Sequence, residues 1–139
     1  MSRTLLVIDD DTSVRESLAM LLSRRGYEVL TADGGEMGLR LVRERSVDGV
    51  LLDQHMPGMN GIAVCRALTA FAQERGHALP IWMMTGVRTR ELAAAAVAAG
   101  ALVLLAKPFD FSRLVALLDA TLRAALPAAR TDFEAFDPR

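Results

Sequence analysis

The sequence predicts an α/β fold in which a five-stranded parallel sheet is covered by helices on both faces. Five short apolar segments recur along the chain, and each is followed by a segment with helical periodicity. Most of the apolar segments are uninterrupted rather than alternating, which is typical of strands buried on both faces. Each segment then ends abruptly on polar residues. Together these observations indicate five consecutive strand–helix units.

The apolar segments place the strands. In chain order they cover residues 4–8, 27–31, 50–53, 81–84 and 102–106. The second segment is the most mixed in polarity, so we expect it at an edge of the sheet. Pro80 suits the first position of the fourth strand, where no ladder donor is lost.

Capping residues and glycines place the helices between these strands. Short polar side chains accept hydrogen bonds from the unpaired amides of a first helical turn. The N-cap candidates are Asp11, Asp33, Asn60 and Asp110. Glycine commonly follows the last helical residue, and the candidates for that position are Gly26, Gly76 and Gly100.

Right-handed crossovers between short units of this kind give a parallel sheet. We therefore expect a flavodoxin-like three-layer sandwich with strand order 2-1-3-4-5 and five helices. This order places a switch point between strands 1 and 3. Open α/β sheets bind their ligands outside the carboxyl ends of the strands at such a point.

Composition limits the classes of function. The chain has 139 residues, which suits one domain, and its formal net charge is −1. Because no basic stripe is present, direct nucleic-acid binding is disfavoured. Cys65 is the only cysteine, which excludes an internal disulfide, and its apolar helical context predicts a packing role.

No segment predicts membrane insertion or secretion. The longest apolar stretch, residues 92–106, is divided by Gly100 and is shorter than the ~18 residues that a membrane span requires. The apolar run at the N-terminus is too short for a secretory signal. We therefore expect a cytoplasmic protein.

Polar residues gather at the strand ends. Asp9 and Asp10 follow the first strand, Asp53 ends the third, Thr85 the fourth and Lys107 the fifth. Because the first and third strands are neighbours, three carboxylates converge, and their repulsion would raise their pKa values unless a cation relieved it. A hard, oxygen-seeking ion such as Mg²⁺ fits this set of ligands.

Lys107 and Thr85 complete a site for an anionic tetrahedral group attached to Asp53. A carboxylate nucleophile, a metal ion and a lysine are the parts needed for phosphoryl transfer to an aspartate. Taken alone, each residue also has an ordinary interpretation: Asp9 and Asp10 as solvated acids, Thr85 as a loop hydroxyl, and Lys107 as a surface lysine.

The chain resembles the receiver domain of two-component response regulators over roughly residues 3–126. The segments that carry the resemblance are residues 7–11, 52–53, 56–58, 61, 84–86, 100–101 and 107–109. The resemblance implies that Asp53 accepts a phosphoryl group from a sensor histidine kinase, a phosphotransfer protein or a small phosphodonor. It also implies that Asp10 binds Mg²⁺ directly, that Asp9 acts largely through water, and that the main-chain carbonyl of His55 completes the ligands.

The resemblance further implies a switch. Thr85 would move toward the phosphoryl group, Lys107 would pair with it, and the Lys107–Pro108 bond would be cis. The face built from the fourth helix, fifth strand and fifth helix would then change conformation. A downstream protein or a missing output domain would bind this face, and a phosphorylation-dependent dimer is one form of the response.

Three positions depart from the family pattern. Leu104 stands where similar domains usually have Tyr or Phe, so this chain lacks the aromatic ring through which those domains usually couple. Gly86 replaces the more usual Ala and should loosen the loop. His55 lies at the mouth of the pocket, where it is either an ordinary loop residue or a control on the access of water to the phosphoryl group.

We expect the protein to be a signalling switch and not an enzyme. Two other functions are alternatives to the switch. A haloacid-dehalogenase-type phosphatase would use Asp53 as its nucleophile, but it requires a second Asp where this chain has His55. A phosphate-independent interaction module would not need the intact set of site residues. We expect the receiver domain to cover residues 1–126. Residues 127–139 form a tail or the start of a linker, in which Phe133 and Phe136 either fray or dock.

Overall fold

The computed structural model describes residues 2–56, 58 and 60–131. Five parallel strands form one sheet in the order β2-β1-β3-β4-β5. The strands are β1 (Thr4–Ile8), β2 (Glu28–Ala32), β3 (Gly49–Asp53), β4 (Ile81–Thr85) and β5 (Val103–Ala106). The helices are α1 (Thr12–Arg24), α2 (Gly35–Glu44), α3 (Gly61–Glu74), α4 (Arg90–Ala99) and α5 (Phe111–Thr131). The predicted fold class and strand order are confirmed.

The core has two halves, one on each face of the sheet. Residues of α2, α3 and α4 pack on one face, and residues of α1 and α5 pack on the other. Successive residues of β1, β3 and β4 enter opposite halves, and every one of them is buried. This two-sided burial is the reason that these strands are uninterrupted apolar segments. Cys65 is fully buried in the first half, in agreement with its predicted packing role.

Three of the four predicted N-caps are confirmed. Asp11 accepts a hydrogen bond from the Val14 amide, Asn60 from the Ala63 amide, and Asp110 from the Ser112 amide. The prediction for Asp33 is wrong, because the N-cap of α2 is Gly34 and no side chain caps that helix. The helix begins one residue too late for the Asp33 side chain to occupy the capping position.

The sheet ends at β2 on one side, as its mixed sequence predicts, and at β5 on the other. Leu102 lies just before β5 and is exposed, although the apolar pattern places it in the strand. Helix α5 continues beyond residue 126 to Thr131, whereas Phe133 and Phe136 lie outside the described residues. The boundary between domain and tail therefore stays a prediction. Within the described ranges, no helix combines the length and apolar character needed to cross a bilayer.

Candidate functional site

The register of the parallel strands brings four polar residues to the carboxyl edge of the sheet. Ile8 of β1 pairs with Leu52 of β3, which places Asp9 beside Asp53. Thr85 ends β4 and pairs with Ala106 of β5, the residue before Lys107. Residues that are far apart in the chain thus meet at one edge because each terminates or follows a strand of the same sheet.

Lys107 joins two of these carboxylates. Its Nζ lies 3.1 Å from Asp9 Oδ2 and 3.0 Å from Asp53 Oδ1. The Asp9 side chain is 0% exposed and that of Asp53 is 7% exposed, whereas the Lys107 side chain keeps 25% of its surface in solvent. The lysine therefore bridges two buried acids from the solvent side. It is the only lysine in the chain, since every other side-chain base apart from the two histidines is arginine.

Asp10 completes an acidic cluster with Asp9 and Asp53. Each of the three offers a carboxylate oxygen, and these oxygens lie within 4.8 Å of one another. Asp10 is exposed while the other two are buried. Three carboxylates face one lysine, so the cluster holds excess negative charge. A divalent cation with oxygen ligands fits this donor set, and the open side at Asp10 leaves room for the water that Mg²⁺ retains.

The main chain around Asp9 is held by two further contacts. Asp9 Oδ1 accepts a hydrogen bond of 2.9 Å from the Asp11 amide. The Asp9 carbonyl accepts one of 2.7 Å from Arg15 Nη1. The sequence did not indicate a role for Arg15, because an arginine in the first turns of a helix is ordinarily a solvated surface residue.

Among the described residues, neither Thr85 nor His55 has a side-chain hydrogen bond to the acidic cluster: one is buried and bonded to its own loop, and the other is exposed. Thr85 is fully buried at the end of β4, and its hydroxyl bonds with the main chain of Val87. The His55 side chain is exposed, and a ligand role for its carbonyl stays a prediction. The Lys107–Pro108 bond is cis, as the resemblance implies.

Comparison with known protein families identifies the family of this chain. The model of the response regulator receiver domain matches residues 5–119. The chain belongs to this family.

The receiver domain is similar to parts of longer regulators. It is 40% identical over 123 residues to the response regulator MprA of Mycolicibacterium vanbaalenii, which covers 88% of this chain and 52% of MprA. It is 36% identical over 131 residues to the transcriptional regulatory protein FixJ of Bradyrhizobium diazoefficiens, which covers 94% of this chain and 62% of FixJ. The chain thus spans between half and two thirds of the length of these relatives.

Solved structures agree with this assignment. The chemotaxis protein CheY4 of Vibrio cholerae is 30% identical, with a TM-score of 0.79 over 86% of this chain and 98% of CheY4. A CheY-like receiver domain protein from Methanospirillum hungatei has a TM-score of 0.83 over 90% of this chain and 97% of that protein. The second protein is only 24% identical and therefore supports the fold alone.

The surroundings of Asp53 in the receiver domain disfavour its charged form. Burial is the largest cause and raises the pKa of Asp53, and repulsion from Asp9 and Asp10 raises it further. The hydrogen bond and charge of Lys107 lower it without cancelling the increase. Burial alone would lower the pKa of Lys107, but its bonds to Asp53 and its attraction to both acids outweigh burial and raise it.

The raised pKa of Asp53 predicts that Asp53→Asn stabilises the metal-free domain. Because the folded-state pKa of Asp53 is raised, its ionised carboxylate destabilises the folded state at neutral pH. In EDTA we expect the melting temperature of Asp53→Asn to exceed that of the wild type by a few degrees. Added Mg²⁺ should reverse the order, because a ligand of the folded state stabilises the form that binds it more tightly. Calorimetry with and without Mg²⁺ would test this, and a lower melting temperature in EDTA would contradict it.

Two residues near Asp53, Gln54 and Gly61, make contacts that the sequence did not indicate. Gln54 is buried, and its side-chain oxygen Oε1 has no hydrogen-bond partner among the described residues. Gly61, the first residue of α3, donates its amide to the Gln54 carbonyl at 2.9 Å. The resemblance includes Gly61 as a motif residue, but the sequence did not indicate its contact with the residue that follows β3.

Proposed function

We propose that this receiver domain is a signalling switch in which Asp53 accepts a phosphoryl group from a sensor histidine kinase or a phosphotransfer protein. The observation that carries the proposal is the acidic cluster of Asp9, Asp10 and Asp53, in which Lys107 is bound to the two buried members, Asp9 and Asp53. In the transfer, an oxygen of the Asp53 carboxylate forms a bond to phosphorus. The bond between phosphorus and the donor imidazole nitrogen breaks, and that nitrogen keeps the electron pair.

Each residue of the cluster has a separate task in this proposal. Both oxygens of Asp9 already accept hydrogen bonds, one from the Asp11 amide and one from Lys107. The exposed Asp10 is therefore better placed to bind a cation directly, with Asp9 acting largely through water. Mg²⁺ would be held by Asp9, Asp10, Asp53 and the His55 carbonyl, and when bound it supplies positive charge against the carboxylates and phosphoryl oxygens.

Lys107 provides the fixed positive charge. It already lies within hydrogen-bond distance of Asp53, so neutralising a phosphoryl oxygen on that residue requires little rearrangement of the protein. Thr85 supplies a hydroxyl that can donate to another oxygen of the same group. The domain thus contributes positioning and charge neutralisation, which are the main requirements of phosphoryl transfer.

The output of the switch is assigned to the face formed by α4, β5 and α5. Several large apolar residues are exposed at or next to it, namely Val87, Val97 and Leu102. Phosphorylation would shift an existing equilibrium between two arrangements of this face. The partner that binds this face would be a downstream protein or an output domain. An output domain is consistent with FixJ, a longer relative that is a transcriptional regulatory protein. A cytoplasmic location stays a prediction from the sequence.

The two competing functions have less support. A haloacid-dehalogenase-type phosphatase needs a second carboxylate at position 55, where the chain has an exposed histidine. A phosphate-independent module would give no reason for two buried acids to share a lysine. We therefore propose a phosphoryl acceptor with no separate substrate to turn over.

Phosphotransfer to Asp53→Asn tests the proposal. With Mg²⁺ and a radiolabelled small acyl phosphate or a phosphorylated kinase, we expect label on the wild type and none above background on Asp53→Asn. The amide retains the shape of the carboxylate but is a poor nucleophile. Asp33→Asn is the matched control, because Asp33 is an exposed acid that follows the edge strand β2 of the same sheet. Equal labelling of wild type and Asp53→Asn would overturn the assignment.

A further inference from the structure

The Thr85 hydroxyl is engaged within its own loop. It donates a hydrogen bond of 3.2 Å to the Val87 carbonyl and accepts one of 3.2 Å from the Val87 amide. A hydroxyl has a single proton to donate. If that proton is to reach a phosphoryl group on Asp53, the bond to the Val87 carbonyl must break. Donation of this proton by Thr85 therefore releases the Val87 carbonyl.

The loop that would respond is short and fixed at both ends. Thr85 ends β4, and Thr89 caps α4 by accepting a hydrogen bond of 3.0 Å from the Leu92 amide. Only residues 86–88 lie between these points. A Cβ added at Gly86 would meet no other atom within 4 Å, so the loop has space to move there. A displacement at Val87 must be taken up by this segment.

Arg88 connects this segment to the next strand. Its Nε donates a hydrogen bond of 2.9 Å to the carbonyl of Leu104 in β5. A charged donor of this kind makes a stronger bond than a neutral one. The Leu104 side chain is 3% exposed and lies in the core that packs against α3 and α4. The side chain of Arg88 therefore contacts the main chain of Leu104, whereas the side chain of Leu104 remains packed in the core.

We propose that Arg88 is a positioning residue that transmits the movement of Thr85 to β5 through its hydrogen bond with the Leu104 carbonyl. The inference rests on the proposed function and explains how a chain with Leu104 in place of an aromatic residue couples its site to its output face. When Thr85 releases Val87, residues 86–88 move, and the Arg88 guanidinium changes its position relative to β5. Leu102, which immediately precedes β5, is 53% exposed. A partner protein can therefore contact the chain directly beside the strand that Arg88 would move.

A matched pair of substitutions tests this connection. In Arg88→Gln the side-chain NH₂ occupies nearly the position of the arginine Nε, because both nitrogens are the same number of bonds from the backbone. In Arg88→Met a methyl group takes that position and the donor is lost. Arg90→Met, which removes an exposed arginine at the start of α4, is the control for loss of charge. Amide NMR spectra would be recorded with Mg²⁺, before and after adding beryllofluoride as the phosphoryl mimic.

Separate amide resonances report on binding of beryllofluoride at the site and on the movement transmitted to β5. The Gln54 amide reports on occupation of the site, and the Leu105 amide reports on the peptide group whose carbonyl belongs to Leu104. In Arg88→Met we expect full changes at Gln54 and a change at Leu105 reduced by roughly twofold or more, within the usual range for one link of a coupling network. Arg88→Gln and Arg90→Met should respond at Leu105 nearly as the wild type does.

The outcomes distinguish the two proposals. A normal Leu105 response in Arg88→Met, with the site occupied, would overturn the role of Arg88 and leave the phosphoryl acceptor intact. An equal loss in Arg88→Gln and Arg88→Met would also overturn it, because the effect would then come from charge rather than from the hydrogen bond. Absence of any response at Gln54 in the wild type would overturn the proposed function, and the role of Arg88 with it.

Discussion

Lys107→Met should lower the free energy of unfolding of the metal-free domain by about 3–5 kcal/mol, the range for leaving a buried charge without its partner. Lys107 contacts two acids, Asp9 and Asp53, and both are almost completely buried. Methionine retains the apolar length of the side chain but provides no charge. Urea denaturation in EDTA would measure the loss, and the midpoint should fall while the slope stays close to that of the wild type.

The double variant with Asp53→Asn shows whether this loss comes from the buried acids. If repulsion between unpaired carboxylates is the cause, Lys107→Met/Asp53→Asn should be more stable than Lys107→Met alone. Residues in contact commonly show interaction energies of roughly 0.5–3 kcal/mol in such cycles. Added Mg²⁺ should recover part of the loss in Lys107→Met. If Lys107→Met unfolds at the same urea concentration as the wild type, the ion pairs do not stabilise the fold.

Gly61→Ala should destabilise the domain by about 2–3 kcal/mol, as expected when atoms are forced into a well-packed region. A Cβ at this position would lie 2.8 Å from the Asp53 carbonyl oxygen and 2.8 Å from Gln54 Cα. Both are main-chain atoms of the segment that carries Asp53, so neither can turn aside. The substitution should also weaken beryllofluoride binding, because relief of the contact displaces Asp53.

Gly86→Ala is the matched control for this effect. It adds the same methyl group to a loop at the same edge of the sheet, but the new Cβ would have no neighbour within 4 Å. Its stability should equal or slightly exceed that of the wild type, since alanine restricts the unfolded chain. Thermal unfolding of both variants would test the comparison. Equal stability for Gly61→Ala and Gly86→Ala would show that α3 can shift without penalty.

The sequence allowed the fold and the location of the site to be predicted because both follow from where strands end. In a parallel sheet, every strand delivers its last residue to the same edge. It was therefore enough to recognise that Asp9, Asp53, Thr85 and Lys107 each terminate or follow an apolar segment. The convergence of these residues needed no information beyond this order, whereas the two contacts of Lys107 with Asp9 and Asp53 depend on how far its side chain reaches across β4.

Details that depend on single backbone torsions could not be predicted. Whether Asp33 or Gly34 caps α2 is decided by a shift of one residue in the start of the helix, and both residue types are acceptable N-caps. The hydrogen bonds of Thr85 with Val87 and of Arg88 with Leu104 depend on the path of a three-residue loop. No sequence pattern distinguishes Arg88 from the other exposed arginines.

The presence of one lysine in the chain makes the site chemically addressable. Reductive methylation with isotopically labelled formaldehyde would modify a single side chain, which keeps its positive charge and lies between Asp9 and Asp53. Its methyl resonance would report directly on the charge around Asp9 and Asp53 without any engineered cysteine or fluorophore. Acetylation of the same amine would instead abolish its charge, so any lysine-directed reagent or enzyme that reaches this side chain acts on the switch itself.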